Sequence, residues 1–99
     1  MTPDDLAALA ASAMPDERLT RDELEHLCFG PDDEVFGDEQ GAAVLQKQRH
    51  GDHLAAWLTF VAVRPGAQRA GRGTELVRAV ADRARDLGAH QLLLASPIP

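Results

Sequence analysis

Ten consecutive residues, 54–63, carry no charge and are apolar on both faces of a strand. Side chains alternate along a strand, so one face is expected to hold Leu54, Ala56, Leu58, Phe60 and Ala62, and the other Ala55, Trp57, Thr59, Val61 and Val63. A strand with two apolar faces is typical of the centre of a sheet that is covered by helices on both sides. This segment therefore predicts an α/β architecture built around one central strand.

A βαβ unit is predicted to follow from the central strand. From Thr74 the apolar residues return at helical spacing, and Gly88 marks the end of the helix. The side chains expected to face inward are Leu76, Val77, Val80, Ala81, Ala84 and Leu87. Residues 91–95 then predict a second buried strand, which should lie parallel to the first through a right-handed crossover.

Two helices are predicted before the sheet. Thr2 is a good N-cap for a helix over about residues 4–14, and Thr20 with Glu23 predicts a capping box for a helix that ends near Phe29. The predicted buried positions are Leu6, Leu9, Ala10, Ala13 and Met14 in the first helix, and Leu24, Leu27 and Cys28 in the second. Each helix should therefore bury one apolar stripe.

A hairpin is predicted between these helices and the central strand. Residues 35–36 predict a short strand, residues 43–49 alternate, and residues 50–53 form a turn. His50 and His53 flank this turn without a neighbouring cysteine, so we interpret them as turn residues and predict no metal site.

Composition and charge limit the classes of function. The 99 residues fit one domain, and one cysteine cannot form an intramolecular disulfide, which favours a reducing cytoplasm. The net charge is −6, yet residues 1–41 hold twelve acids and two bases, while residues 42–99 hold four acids and eight bases. Overall acidity argues against nucleic acid as a partner, and no apolar run is long enough for a membrane span. Cys28 is interpreted as a core residue.

The loop at residues 64–74 is the candidate binding segment. It holds three arginines and no acid, so it could attract an anion, although the arginines could also be solvated loop charges. It also precedes a helix N-terminus, where backbone amides are free to bind phosphate. Two of its glycines have Walker A spacing, but Arg72 and Gly73 stand where lysine and serine or threonine are required. A dinucleotide fingerprint fails too, since Leu76 follows Gly71-Arg72-Gly73 in place of a third glycine.

The segment Gln68-Arg69-Ala70-Gly71-Arg72-Gly73 resembles the acyl-coenzyme A signature of the GNAT superfamily of N-acetyltransferases, which is Gln or Arg, any two, Gly, any, Gly or Ala. Its context is similar to that superfamily as well: an apolar strand comes before the motif and a helix after it. The order of two helices, hairpin, strand, motif, helix and strand resembles the fold over nearly the whole chain. The predicted fold class is thus α/β with a mixed, GNAT-like sheet.

The resemblance implies acetyl-CoA as co-substrate, no metal, and an amine on a small molecule or a protein as acceptor. It places the pyrophosphate on the loop amides and the pantetheine arm along the end of the central strand, where an amide would polarise the thioester carbonyl. The implied cofactor-binding residues are Val61, Ala62, Val63, Gln68, Arg69, Ala70, Gly71, Arg72, Gly73 and Thr74. The implied transfer is direct, without an acyl-enzyme.

The sequence also departs from the family. It has no tyrosine to protonate the leaving thiolate, and the family's further helix and strands do not follow. Residues 1–99 are therefore expected to be a partial GNAT domain, inactive alone and completed by the remainder of a longer chain or a second GNAT domain. Asp38, Glu39 or a histidine acting through water could be the general base, and the catalytic residues stay unassigned.

Three functions remain open at this point. The first is an amine acetyltransferase, and the second is a non-catalytic acyl-CoA-binding or regulatory domain of a tandem protein. The third is a phosphate-binding βαβ unit without thioester specificity. The acidic residues 32–34 fall at the family's acceptor rim, where they favour a cationic amine or form a solvated surface.

Overall fold

The computed structural model describes residues 1–16, 19–68 and 71–94. The elements are α1 (Pro3–Ala13), α2 (Arg21–Cys28), β1 (Asp33–Asp38), β2 (Gly41–His50), β3 (His53–Val63), α3 (Pro65–Gln68), α4 (Arg72–Asp86) and β4 (Gln91–Leu94). The architecture is mixed α/β, as the sequence predicts. Among the described helices, none combines the length and the apolar character needed to cross a membrane.

The four strands form one mixed sheet in the order β1-β2-β3-β4. The first three strands are antiparallel, and β4 lies parallel to β3, so the predicted hairpin and βαβ unit are both present. His50 pairs with His53 across a two-residue turn, and Gly51 has a φ of 62° at the first turn position. Glycine is favoured there because it adopts positive φ without strain.

Helices cover the two faces of the sheet, so β3 is buried from both sides as predicted. One apolar cluster joins α4 to the sheet through Ala43, Leu45, Ala56, Leu58, Val61, Val63, Leu76, Val80 and Ala84. The other joins α1 and α2 to the opposite face through Leu6, Leu9, Ala10, Leu24, Cys28, Ala42, Val44 and Ala62. The candidate loop thus connects a buried strand, β3, to a helix, α4, that packs against it.

A β-bulge makes the predicted faces of the central strand wrong for its second half. Leu45 pairs with Leu58 and Val44 with Phe60, which leaves Thr59 as an extra residue in β3. A bulge of one residue inverts the alternation beyond it. Leu58 faces α4 together with Val61 and Val63, which were predicted on the opposite face. Phe60 and Ala62, predicted on the same face as Leu58, face α1 and α2. The single alternating pattern expected for residues 54–63 holds only as far as the bulge.

The helix boundaries follow local chemistry, with small corrections. Thr2 Oγ1 accepts from the Asp5 N–H at 3.1 Å, and α1 begins at the next residue, Pro3. Thr20 Oγ1 likewise accepts from the Glu23 N–H, but the Glu23 carboxylate accepts from the Thr20 hydroxyl, so only half of the predicted capping box forms. The predicted burial of Leu27 is wrong.

Leu27 is 55% exposed because α2 ends at residue 28 and contacts the core through Leu24 and Cys28. The start of α4 also differs from the prediction. It begins at Arg72, two residues earlier than expected, and the four-residue helix α3 occupies part of the predicted loop.

Candidate functional site

A groove of about 280 Å³ lies where the end of β3 meets the beginning of α4. Its lining residues are Val63, Gln68, Gly71, Gly73, Thr74, Val77 and Arg78. The first five belong to the set predicted from the sequence, so the structure brings these five together around one concave surface. Two other predicted residues, Arg69 and Ala70, lie outside the described residues.

The N-terminus of α4 presents backbone amides at this groove. Gly71 is its N-cap, with a φ of 77° and no side chain that caps the helix. Arg72, Gly73 and Thr74 form the first turn, whose N–H groups have no carbonyl partner within the helix and carry the positive end of its dipole. A phosphate oxygen is a suitable acceptor for such amides.

The Gln68 side chain is hydrogen-bonded to the end of β3. Its side-chain amide Nε2 donates to the Val63 carbonyl at 3.0 Å, which ties the loop to the last residue of β3. The Gln68 carbonyl accepts from the Gly71 N–H at 3.4 Å, a long contact. Of the loop amides, that of Gly71 is therefore loosely engaged by the protein itself. The glutamine of the motif has a structural contact that the sequence did not reveal.

The end of β3 offers backbone atoms, since its side chains are buried. Val61 and Val63 pack toward α4, and Ala62 packs toward α1. Within the described residues, β4 pairs with β3 only from Ala55 to Leu58. The last described pair is Leu58 with Leu94, and Val61, Ala62 and Val63 lie further along the same edge of β3.

Arg72 contributes its backbone to the first turn of α4, while its side chain is occupied elsewhere. The guanidinium lies 3.3 Å from the Asp38 carboxylate and 3.0 Å from that of Glu75. The side chain is 26% exposed and does not line the groove. The three arginines predicted to attract an anion therefore do not act as a set, because this one is already paired with two carboxylates.

Two of the carboxylates considered in the sequence analysis, those of Asp38 and Glu34, are paired with basic side chains. The N–H of Gln40, and then Arg72, hold the pKa of Asp38 below its ordinary value of 3.8, and neither Asp38 nor Glu39 lines the groove. Glu34 contacts Arg83 at 2.8 Å and Lys47 at 3.3 Å, which ties α4 to the sheet. Of the two alternatives for residues 32–34, a solvated acidic surface does not describe Glu34, which is paired with two basic side chains and 25% exposed.

Cys28, His53 and His90 pack against other parts of the fold and do not line the groove. Cys28 is 3% exposed, and burial, with a smaller contribution from Asp33, raises the pKa of its thiol from 9.0 to about 11. His53 stacks on His90 with ring centroids 4.6 Å apart. Across the described ranges, no three side chains of histidine, cysteine or acidic residues form a group that could hold a metal ion.

Val77 and Arg78 are groove residues that were not predicted as site residues. Val77 was expected to face inward, and it lies at the boundary between the core and the groove. Arg78 is exposed and follows Thr74 by four residues, one helical turn along α4. Extending the motif by i, i+4 spacing from Thr74 into the helix would have identified Arg78 as a cationic residue on the same side of α4.

Comparisons with known proteins identify the fold. The ribosomal-protein-alanine N-acetyltransferase from Brucella melitensis biovar Abortus 2308 is 20% identical, with a TM-score of 0.73, and the match covers 96% of this chain and 74% of that one. An acetyltransferase from Trypanosoma brucei is also 20% identical, with a TM-score of 0.67, and the match covers 98% of this chain and 80% of that one.

A GCN5-related glucosamine N-acetyltransferase region within a fungal multi-domain β-N-acetylglucosaminidase is 24% identical. Its TM-score is 0.80, and the match covers 98% of this chain and 12% of that one. No curated protein matches the sequence significantly. The profile of the Acetyltransferase (GNAT) family matches residues 4–97. With the motif-bearing loop between β3 and α4, this match shows that the chain belongs to the GNAT acetyltransferase family.

Proposed function

We propose that this protein binds acetyl-CoA and that its family's reaction, acyl transfer to an amine, takes place at the groove between β3 and α4. The observation that carries the proposal is the N-terminus of α4, which has no side-chain cap and whose residues Gly71, Gly73 and Thr74 line a groove of about 280 Å³. Five of the predicted cofactor-binding residues meet there. Helix amides, dipole and an exposed arginine together favour a diphosphate over a neutral ligand.

The pyrophosphate of acetyl-CoA is proposed to accept hydrogen bonds from the amides of residues 69–74. Each hydrogen bond to a charged group contributes roughly 1.5 to 3 kcal/mol. Arg78 adds a positive charge one helical turn further along the groove. The pantetheine arm is proposed to lie along the backbone of Val61, Ala62 and Val63, which follow the last described pair of β3 with β4, Leu58 with Leu94.

In the proposed reaction the acceptor amine attacks the thioester carbonyl directly. The C–N bond forms, the carbonyl oxygen becomes an oxyanion, and the C–S bond then breaks to release coenzyme A. A backbone N–H at the end of β3 would stabilise the oxyanion as a fixed donor. The amine loses a proton and the thiolate gains one. We assign no residue to these proton transfers, because the described groove lining holds no carboxylate, histidine or tyrosine.

That lining motivates a second candidate, an acyl-CoA-binding or regulatory GNAT domain without turnover. It also supports the proposal that the 99 residues form part of a GNAT domain and lack groups that complete catalysis. The fungal protein of similar fold is described as carrying an N-acetyltransferase region inside a multi-domain chain. For either candidate we propose a cytoplasmic location, which a free buried cysteine supports because free thiols persist in a reducing compartment.

Calorimetry with acetyl-CoA, coenzyme A and inorganic pyrophosphate tests the binding proposal. Tighter binding of acetyl-CoA than of pyrophosphate is expected, since only the thioester ligand also contacts β3. Equal affinities would favour a simple phosphate-binding unit, and no binding of acetyl-CoA would refute the proposal.

Thiol release with a panel of amines separates the two candidates. The panel includes glucosamine and a peptide with N-terminal alanine, because relatives are described by these acceptors. Coenzyme A release that depends on an amine supports the transferase. Binding without release supports the regulatory domain.

A further inference from the structure

The end of β1 and the turn that follows it contact the candidate loop, residues 64–74, which we call the cofactor loop. The N–H of Arg64, directly after β3, donates to the Gln40 carbonyl at 2.9 Å, and its Nε donates to the Glu39 carbonyl at 2.5 Å. At the other end of the loop, the Arg72 guanidinium contacts the Asp38 carboxylate at 3.3 Å. The last residue of β1 and the two-residue turn after it therefore contact the loop at Arg72 and at Arg64.

The turn is itself closely packed and has little freedom to move. The Asp38 carboxylate accepts from the Gln40 N–H at 2.9 Å, which closes the turn. A Cβ on Gly37, whose φ is 119°, would lie 2.1 Å from the Gly41 carbonyl oxygen. A Cβ on Gly41 would lie 3.1 Å from Arg72 Cγ. Backbone that fits this tightly against Arg72 holds the side chain in one position.

We propose that Asp38 is a positioning residue for the cofactor loop. Its carboxylate holds the Arg72 side chain against the β1–β2 turn and thereby fixes the first turn of α4, whose amides face the groove. This inference rests on the proposed binding of acetyl-CoA. The side chain of Arg72 thus acts through the loop backbone and does not contact the phosphate, although it sits inside the binding motif.

If Arg72 instead bound the phosphate directly, removing the Asp38 charge would change the affinity for acetyl-CoA in the opposite direction. If its guanidinium bound the pyrophosphate directly, Asp38 would compete with the ligand, and removing the Asp38 charge would tighten binding. If Asp38 positions the loop, removing that charge loosens the first turn of α4 and weakens binding. The direction of the change in affinity therefore separates the two roles.

Asp38→Asn is the decisive variant, because asparagine keeps an oxygen that can accept from the Gln40 N–H and loses only the charge. Asp52→Asn is its matched control, an exposed aspartate in the other two-residue turn of the sheet. Calorimetry with acetyl-CoA is expected to show binding about threefold weaker for Asp38→Asn, the scale of one exposed ion pair, and unchanged for the control.

A double-mutant cycle supplies a readout that a purely structural role would not move. Arg72→Gln is expected to weaken acetyl-CoA binding by a similar factor, Arg72→Lys to restore part of it, and the double variant with Asp38→Asn to bind no more weakly than Arg72→Gln. Unchanged or tighter binding by Asp38→Asn, or additive losses in the cycle, would overturn the proposal.

The thermal midpoint of each variant completes the test. It should match that of Asp52→Asn, and a much lower midpoint for Asp38→Asn alone would assign Asp38 to the stability of the fold instead. Failure of the wild-type chain to bind acetyl-CoA refutes the proposed function. Wild-type binding with an unaffected Asp38→Asn refutes only the positioning role.

Discussion

Two glycines at opposite ends of α4 allow backbone strain to be separated from ligand contact. Gly71 and Gly88 have φ values of 77° and 76°, and a Cβ added to either would meet no atom within 4 Å. Gly71 lines the groove, whereas Gly88 follows the other end of the fifteen-residue helix, about 25 Å away. Gly71→Ala and Gly88→Ala therefore impose the same strain at two different places.

The two substitutions should destabilise the protein equally. An alanine in the left-handed region costs about 1 to 2 kcal/mol, part of which is offset by the lower entropy of the unfolded chain. A net loss of about 1 kcal/mol lowers the thermal midpoint of a domain of this size by roughly 4 to 8 °C. Thermal unfolding followed by circular dichroism should give this shift for both variants.

Only the variant at residue 71 should lose cofactor affinity. Its methyl group projects where a phosphate oxygen would approach the first-turn amides, so at least one charge-assisted hydrogen bond worth about 1.5 to 3 kcal/mol is lost. That loss corresponds to about 10- to 150-fold weaker binding in calorimetry with acetyl-CoA. Gly88→Ala should bind as the wild type does. Equal affinities for Gly71→Ala and Gly88→Ala would refute the placement of the pyrophosphate at this loop.

Three further outcomes follow from other parts of the structure. Arg78→Ala should weaken acetyl-CoA binding by up to about fivefold, as expected for one exposed charge, while Arg85→Ala, at the far end of the same helix, should not; calorimetry compares them. The Cys28 thiol should resist a thiol reagent at about pH 8 in the folded protein and react after denaturation, because burial raises its pKa to about 11. Fast labelling of the folded chain would contradict its burial. The hydrogen bond from Arg83 is the main cause that lowers the pKa of Glu34 below 4.5, so the stability it contributes is present above that pH and lost as the pH falls through the lowered value. Thermal midpoints should therefore fall more steeply below about pH 4.5 in the wild type than in Glu34→Gln, and equal slopes would contradict the ion pair.

Local sequence was sufficient to predict the main elements and the position of the loop that carries the motif. The apolar run at residues 54–63 required a covered central strand, and β3 occupies that position. Thr2 and Thr20 cap their helices, and the glycines of the motif lie at the start of α4, one of them with positive φ. Capping, alternation and glycine conformation depend on neighbours within a few residues, so the chain itself carries this information.

The orientation of side chains across the sheet was decided by tertiary structure. The bulge at Thr59 depends on how β3 pairs with β2. The sequence of β3 by itself does not show at which residue the pairing register shifts. The exposure of Leu27 depends on which part of α2 reaches the core. Nothing near Arg72 in the sequence predicts its contact with Asp38, which lies 34 positions earlier. Pairing register and long-range ion pairs are set by the relative position of two segments that are distant in the sequence, so neither segment determines them alone.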